Sequence, residues 1–339
     1  MAPYDHWQGG TLDWIKPAKE NDPLLLGNGE KHLFAAAALN FTFDHSQVAL
    51  IRDRAIQEFL TEFDELCALN KSTVVSERLN HFNISNAQPQ DYCERIFQID
   101  PLGLVLVGIR WVGGNPMKPF VSVWPDYEVS LSSDIDCLIK LAAAEFKVFS
   151  PKHISLWLNP NTPLANELRQ SVTPKRRYFV AQLTHLKSLV RPSRYDDVSL
   201  VRPSNDDYYS WYVESYREFH AAHPDLKDWV PFNDKEEMEE CRKSGLLFLV
   251  EVNGLKAGLI AGNSQPLLGM RGLYFTEIMM TNAFKGQGLA PAVQRKFIDN
   301  LPSDYEAVWG TIDAKNVAST KTALKVGRRS IREEFFIEI

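Results

Sequence analysis

The chain has 339 residues, of which 45% are hydrophobic and 24% are charged, and its formal net charge is −6 at pH 7. This composition is typical of a globular protein with two domains of roughly 150 to 190 residues, and the negative charge argues against nucleic acid as the main partner. The sequence shows neither a basic, apolar signal peptide nor an apolar run of roughly 18 residues, so we expect a cytoplasmic protein without a membrane partner.

The N-terminal half is predicted to begin with extra helical elements and to continue as an α/β unit. Residues 47–70 show the spacing of an amphipathic helix. Alternating apolar segments further on predict strands, and Ser132-Ser133-Asp134 suits the start of the helix between them. In chain order the expected elements are strands at 95–100, 103–111 and 119–125, a helix at 134–146, a strand and helix at 153–168, and a closing strand at 176–186.

The C-terminal half carries a clearer pattern. Two apolar strands at 246–252 and 255–262 flank Asn253-Gly254, a dipeptide typical of a tight hairpin. A long strand at 272–280 then leads into a glycine loop and a helix that begins near Gly288. Another strand follows at 307–313, and a last helix follows at 316–327.

Gly286 and Gly288 indicate a binding site for phosphate at the start of the first of these helices. Glycine lets the backbone turn sharply and approach a ligand closely, and a helix N-terminus offers free amides to an anion. The loop fits neither the GxGxxG nor the GxxxxGK[ST] pattern. Read as Lys285-x-x-Gly288-x-Ala290, it resembles the pyrophosphate loop of the GNAT family of acetyl-CoA-dependent acyltransferases, Q/R-x-x-G-x-G/A.

The last helix supports the same resemblance, which covers roughly residues 198–339. Residues 316–327 are similar to the family pattern Nxx(A/S)xxLYxKxG, with Asn316, Ser319, Lys325 and Gly327 in place. The resemblance implies an α/β fold with a mixed sheet flanked by helices. It also implies acetyl-CoA as co-substrate and transfer of an acetyl group to the amine of a small molecule or peptide.

The order of elements in the N-terminal half resembles that of the same family, which suggests two tandem GNAT-like domains, at 1–190 and 195–339. Between its third strand and its helix, however, residues 125–134 contain no glycine and carry three acids. A pyrophosphate would meet side chains and like charge there. We therefore expect a degenerate, non-catalytic N-terminal domain, and we expect the whole chain to be a monomer.

The resemblance assigns the coenzyme to backbone groups in the C-terminal half. Met279 and Met280 would pair with the pantetheine arm, and the Met280 amide would be the donor to the oxyanion. Asn316 would bind the same arm, which Ser319 would contact further along. The pyrophosphate would lie on the amides of Gly286, Gln287, Gly288, Leu289 and Ala290, beside the Lys285 cation. No metal is expected, because the four cysteines show no CxxC spacing: Cys67, Cys93, Cys137 and Cys241.

The acid and base are less clearly marked. Glu277 is the candidate general base: strand alternation places it on the face of Phe275 and Met279, where an unpaired acid would have a raised pKa, and an ion pair is the alternative. Ala323 stands where many family members carry a tyrosine as general acid. Two other interpretations therefore remain, a non-catalytic protein that binds or senses acyl-CoA and a tandem transferase that depends on aminoacyl-tRNA.

Overall fold

The structure is a computed structural model that describes residues 15–18, 22–47, 51–227 and 230–339. The described chain forms two compact units. Unit 1 comprises the described residues up to Phe43 together with Phe59–Val172 and Phe335–Ile339, and unit 2 comprises Asp44–Glu58 and Thr173–Glu334. None of the described helices is long and apolar enough to cross a membrane.

Unit 1 is built on an antiparallel meander that ends in one parallel pair. Its strands follow the order β1-β2-β3-β4-β5, in which only β4 and β5 are parallel, and the chain end Phe335–Ile339 lies beyond β5. Helix α4 packs its apolar face on this sheet through residues such as Leu138 and Leu141. The elements are β1 (Ile15–Pro17), α1 (Asn28–Thr42), α2 (Arg52–Ala68), α3 (Ser72–Phe82), β2 (Arg95–Ile99), β3 (Gly103–Trp111), β4 (Pro119–Pro125), α4 (Ser132–Glu145), β5 (His153–Leu158) and α5 (Pro163–Leu168).

Unit 2 has a mixed sheet with helices on both faces. The strand order is β7-β8-β9-β10-β11-β6-β12, and only β10 and β11 are parallel. Helices α7 and α8 cover one face, and α9 covers the other. The elements are β6 (Arg176–Gln182), α6 (Leu183–Ser188), β7 (Val198–Val201), α7 (Tyr208–Ala222), α8 (Lys235–Lys243), β8 (Leu247–Val252), β9 (Leu255–Ser264), β10 (Gly272–Met280), α9 (Ala290–Asp299), β11 (Ala307–Asp313), α10 (Val317–Lys325) and β12 (Arg329–Glu338).

The α/β class and the mixed sheet are as predicted, and most predicted elements occur within a few residues of their expected bounds. Strand β6 is the main correction, because it belongs to unit 2 and pairs with β11 and β12 instead of closing the N-terminal unit. The ring of Tyr178 on β6 stacks on the ring of Trp309 on β11, with 5.4 Å between the ring centres. An alternating strand shows which of its faces is buried but not which strand is its neighbour, so sequence order misplaced it.

The two units also depart from the contiguous ranges 1–190 and 195–339. Strand β6 and the segment Asp44–Glu58, which includes the start of α2, belong to unit 2. The last five residues of the chain belong to unit 1. The amphipathic helix expected at 47–70 is observed as α2, while residues 48–50 lie outside the described residues. The strand expected at 176–186 ends at Gln182, where α6 begins.

Candidate coenzyme and acyl-transfer site

The site lies within unit 2, where β10 and β11 separate. Their parallel pairing stops at Tyr274 and Trp309, and beyond this point β10 runs on to Met280 with only β9 beside it. The gap opens into a cleft of about 600 Å³ between the end of β10, the loop before α9, the second half of α7 with the segment that follows it, and α10. A cleft at such a branch of the sheet exposes backbone groups that a ligand can pair with as an added strand would.

The glycine loop forms one wall of this cleft and has the conformation expected for an anion site. Gly286 and Gly288 have φ values of +74° and +73°, and a β-carbon at either position would have no heavy atom within 4 Å. Within the described ranges, no acceptor takes a hydrogen bond from the amides of residues 286–290, and α9 begins at Ala290. These five amides therefore form an open cradle at a helix N-terminus, which fits a diphosphate; four of the five residues line the cleft, and Gln287 does not.

The charge of the cleft also fits an anion. Its lining includes four lysines and no aspartate or glutamate, although the chain as a whole carries a charge of −6. The ammonium of Lys285 lies 3.0 Å from Asn282 Oδ1 and 3.9 Å from the centre of the Phe219 ring, and burial lowers the pKa of this lysine. Lys285 thus lines the cleft, but its ammonium lies against Phe219 of α7 and not beside the amides of the glycine loop. The four lysines are Lys285, Lys315, Lys321 and Lys325.

Met279 and Met280 end β10 at the wall of the cleft. Thr281 donates its amide to Ala257 O at 2.9 Å, on the side of β9. Because successive amides alternate along a strand, the Met280 amide points to the other side, where β11 has departed. This amide therefore faces the gap between the two strands, and its role as oxyanion donor stays a prediction.

Asn316 and Ser319 line the opposite wall, at the start of α10. The Asn316 Oδ1 accepts a hydrogen bond from the Ser319 amide at 3.1 Å, so Asn316 caps the helix. Its carboxamide nitrogen remains as a donor beside the cleft. The two residues are brought together with the glycine loop and the end of β10, as the sequence predicted.

Glu277 lies buried beneath α7 and is surrounded by hydrogen-bond donors. The hydroxyls of Tyr212 and Tyr216, the side chain of Asn233 and the Ile278 amide all donate to its carboxylate. Burial raises the pKa of the Glu277 carboxyl to about 7, although the hydrogen bonds from the tyrosines and the amide act in the opposite direction. No lysine or arginine among the described residues forms an ion pair with it, so the ion-pair alternative is wrong.

The orientation of Glu277 differs in one respect from the prediction. Met279 does share its face, but Phe275 packs on the other face, against Phe297 of α9. A β-bulge between Phe275 and Glu277 inserts Thr276 and breaks the alternation of side chains. A bulge within a run of apolar residues has no characteristic sequence pattern, so it could not be predicted from the sequence.

Tyr216 is the member of this cluster that reaches the cleft. It lines the cleft, whereas neither Glu277 nor Tyr212 is among the lining residues. Burial raises the pKa of both tyrosines far above the ordinary value, with the Glu277 charge as the second cause. The sequence analysis missed both, although Tyr208, Tyr212 and Tyr216 recur every four residues and so mark the buried face of α7.

Ala323 does not line the cleft. It is fully buried and packs with Phe179 and Ile312.

The corresponding turn of unit 1 is closed by an acid. Asp134 is buried at the start of α4, where its Oδ2 accepts hydrogen bonds from the amides of Ser130 and Leu131 at 3.1 and 3.0 Å. Two amides of this turn are therefore already paired, and the acid adds like charge for a phosphate. In the described part of the chain, no cluster of His, Cys, Asp and Glu residues could hold a metal ion.

Comparison with known proteins gave matches among solved structures alone, since no protein-family model and no curated protein matches the sequence. The chain is similar to a GCN5-related N-acetyltransferase from Sphaerobacter thermophilus, at 12% identity and a TM-score of 0.46, covering 80% of this chain and 93% of that one. It is also similar to a GNAT-family acetyltransferase from Colwellia psychrerythraea (12%, 0.45, covering 79% and 97%) and to a tandem GNAT protein from the clavulanic acid biosynthesis pathway (10%, 0.40, covering 79% and 96%). At such identities, the activity of this chain has to be inferred from its own residues.

Proposed function

We propose that this protein is an acyl-CoA-dependent N-acyltransferase that acts on the amine of a small molecule or peptide. The observation that carries the proposal is the cleft of unit 2, which combines an open amide cradle with a buried carboxylate and tyrosine. A cradle for diphosphate alone would suit many nucleotides. Its position at the gap between β10 and β11, next to a group that can accept a proton, favours acyl transfer.

The cradle residues would hold the coenzyme through its phosphates, and the cleft lysines would add a favourable field. The Met280 amide and the Asn316 carboxamide would hold the arm. Bound acetyl-CoA would supply a thioester, the acyl donor for an attacking amine. The Met280 amide would also stabilise negative charge on the acyl oxygen, as a fixed donor does in acyl transfer.

Glu277 and Tyr216 would together remove the proton from the attacking amine. The carboxyl has a pKa of about 7, which suits a base that works near neutral pH. Because Glu277 lies behind Tyr216, the tyrosine hydroxyl would accept the proton of the amine while it passes its own proton to the carboxylate. The same hydroxyl can return that proton towards the cleft for the departing thiolate, a role that Ala323 cannot fill.

Titration calorimetry with acetyl-CoA tests the coenzyme site without knowledge of the acceptor. We expect one site in the wild type and no binding by Gly288→Glu, because the new side chain would fill the cradle with negative charge. Gly254→Glu is the matched control: Gly254 has a φ of +76° and open space around it, but it lies in the hairpin between β8 and β9. Both variants put a glutamate at a glycine of similar positive φ. Only Gly288→Glu changes the cradle, so only this variant should lose acetyl-CoA binding.

Two outcomes would contradict parts of the proposal. Binding that survives Gly288→Glu unchanged would place the coenzyme elsewhere. Binding to the cradle without acyl transfer to any of a panel of primary amines would favour the non-catalytic acyl-CoA-binding interpretation, which the buried Ala323 keeps open.

A further inference from the structure

Arg328 is a buried arginine immediately before the last strand, β12, and it has no acidic partner among the described residues. Its guanidinium lies 4.7 Å from the centre of the Phe275 ring, and its Nε has no hydrogen-bond partner. Burial lowers the pKa of Arg328 to about 9. An isolated buried cation is unfavourable, so its position calls for a physical reason.

The guanidinium lies at the point where β10 and β11 separate. Phe275 and Gly310 are the first residues beyond the last paired residues of the two strands, Tyr274 and Trp309. A β-carbon on Gly310 would lie 3.4 Å from Phe275 Cβ and 3.5 Å from one terminal nitrogen of Arg328. Arg328 thus lies at the closed end of the gap that holds the cleft.

Gln294 connects Arg328 to the cleft. The Gln294 Oε1 accepts a hydrogen bond from Arg328 at 3.0 Å, and Gln294 lines the cleft from α9. An arginine has donors only, so this contact fixes which end of the carboxamide faces it. The Gln294 amide nitrogen must point away from Arg328, and the described chain provides no acceptor for it.

The position of Gln294 shows which part of a ligand could meet this donor. It lies one turn beyond Ala290 on α9, about 6 Å further along the helix from the exposed glycine loop. Unlike the glycines of the loop, Gln294 is buried. A ligand whose phosphates lie on the loop would therefore place its uncharged arm, not its phosphates, at this depth.

We propose that Gln294 donates a hydrogen bond to a carbonyl oxygen of the pantetheine arm or its thioester, and that Arg328 is a positioning residue that fixes the Gln294 carboxamide for this contact. The inference rests on the proposed function, because it assumes that the cleft binds coenzyme A. The Gln294 amide nitrogen has no acceptor among the described residues, and a ligand carbonyl in the cleft would supply one. The Arg328 charge strengthens the donor by polarising the carboxamide.

Gln294→Glu tests the donor while it keeps an acceptor for Arg328. By calorimetry we expect coenzyme A or acetyl-CoA to bind at least tenfold more weakly to this variant than to the wild type. Adenosine 3′,5′-bisphosphate lacks the arm and should bind both proteins equally. A loss with both coenzyme forms identifies an amide carbonyl of the arm, and a loss with acetyl-CoA alone identifies the thioester carbonyl.

Arg328→Met tests positioning in two backgrounds. With Gln294 present, the substitution should weaken coenzyme A binding severalfold, and Arg328→Lys should restore part of it. In a Gln294→Met background, Arg328→Met should have no further effect on affinity, whereas a merely structural role would weaken binding in both backgrounds. Thermal unfolding of each variant confirms that it is folded.

Three results would overturn the inference. Unchanged binding of both coenzyme forms to Gln294→Glu would exclude the donor, and equal weakening of adenosine 3′,5′-bisphosphate would indicate a general effect of charge or folding. A wild type that binds no coenzyme A would overturn the proposed function itself and this inference with it. The wild-type titration therefore separates the two failures.

Discussion

The hydroxyl of Tyr216 lies 3.0 and 3.1 Å from the two carboxylate oxygens of Glu277 and also belongs to the wall of the cleft. Tyr212 donates to the same carboxylate but does not reach the cleft. Glu277 itself accepts hydrogen bonds from four described residues and does not line the cleft. A proton that moves from the cleft to Glu277 therefore has a direct path through Tyr216 and none through Tyr212.

Substitution of the two tyrosines separates a proton path from a structural role. We expect Tyr216→Phe to lower kcat by about 10²-fold, the smaller end of the range for acid–base catalysis, with little change in the KM for acetyl-CoA. Tyr212→Phe removes one hydrogen bond to the same carboxylate and should lower kcat less than tenfold. Initial rates of thiol release with an accepted primary amine measure both. Equal losses in the two variants would contradict the path through Tyr216.

Glu277 should make the folded protein less stable as the pH rises. Its folded pKa is raised to about 7 from an ordinary value of 4.5, so the folded state binds a proton more tightly than the unfolded state. Its contribution to stability is present below pH 4.5 and is lost as the pH rises through about 7, by roughly 3 kcal/mol in total.

The Glu277→Gln variant has no carboxyl group at this position, so its stability should not change with ionisation there. Denaturant unfolding of wild type and Glu277→Gln at pH 5 and pH 8 should show a larger decline in the wild type, by about 2.5 kcal/mol, because part of the loss already occurs below pH 5. The same decline in both proteins would mean that Glu277 is ionised throughout this range, and its assignment as a base near neutral pH would then lack support.

The conformation of the glycine loop could be predicted from the sequence because it depends on local features. Gly286 and Gly288 lie two residues apart before an amphipathic helix, and both adopt the positive φ that glycine favours. Asn316 likewise caps the helix that its sequence position suggested. Backbone amides and caps need only a few neighbouring residues, so short motifs carry the information.

The partners of Glu277 and the membership of β6 could not be predicted in the same way. Tyr216 lies 61 residues before Glu277 in sequence, and the contact depends on how α7 packs on the sheet. The bulge at Thr276 then decides which face Glu277 occupies. The neighbour of β6 depends on long-range pairing, which alternation of apolar residues does not encode.

Asn316 combines a cap with a proposed contact to the coenzyme, and two substitutions distinguish these roles. Serine caps helices about as well as asparagine but lacks the carboxamide donor. Asn316→Ser should therefore keep wild-type stability and bind acetyl-CoA severalfold more weakly, while Asn316→Ala should in addition lose about 1 kcal/mol of stability. Calorimetry and denaturant unfolding of the same preparations give both quantities. If Asn316→Ser binds acetyl-CoA with wild-type affinity, Asn316 only caps the helix and does not contact the coenzyme.

Unit 1 should not bind the coenzyme, and removal of Asp134 should not create a second site. Asp134→Ala frees the amides of Ser130 and Leu131 but leaves a turn without glycine, in which side chains still surround the helix N-terminus. We expect this variant to lose about 1 kcal/mol of stability, as lost caps do, and to retain one acetyl-CoA site per chain by calorimetry. A second site in Asp134→Ala would show that a single carboxylate, and not the shape of the turn, excludes the ligand. Two sites in the wild type would contradict the assignment of unit 1 as the half that does not bind the coenzyme.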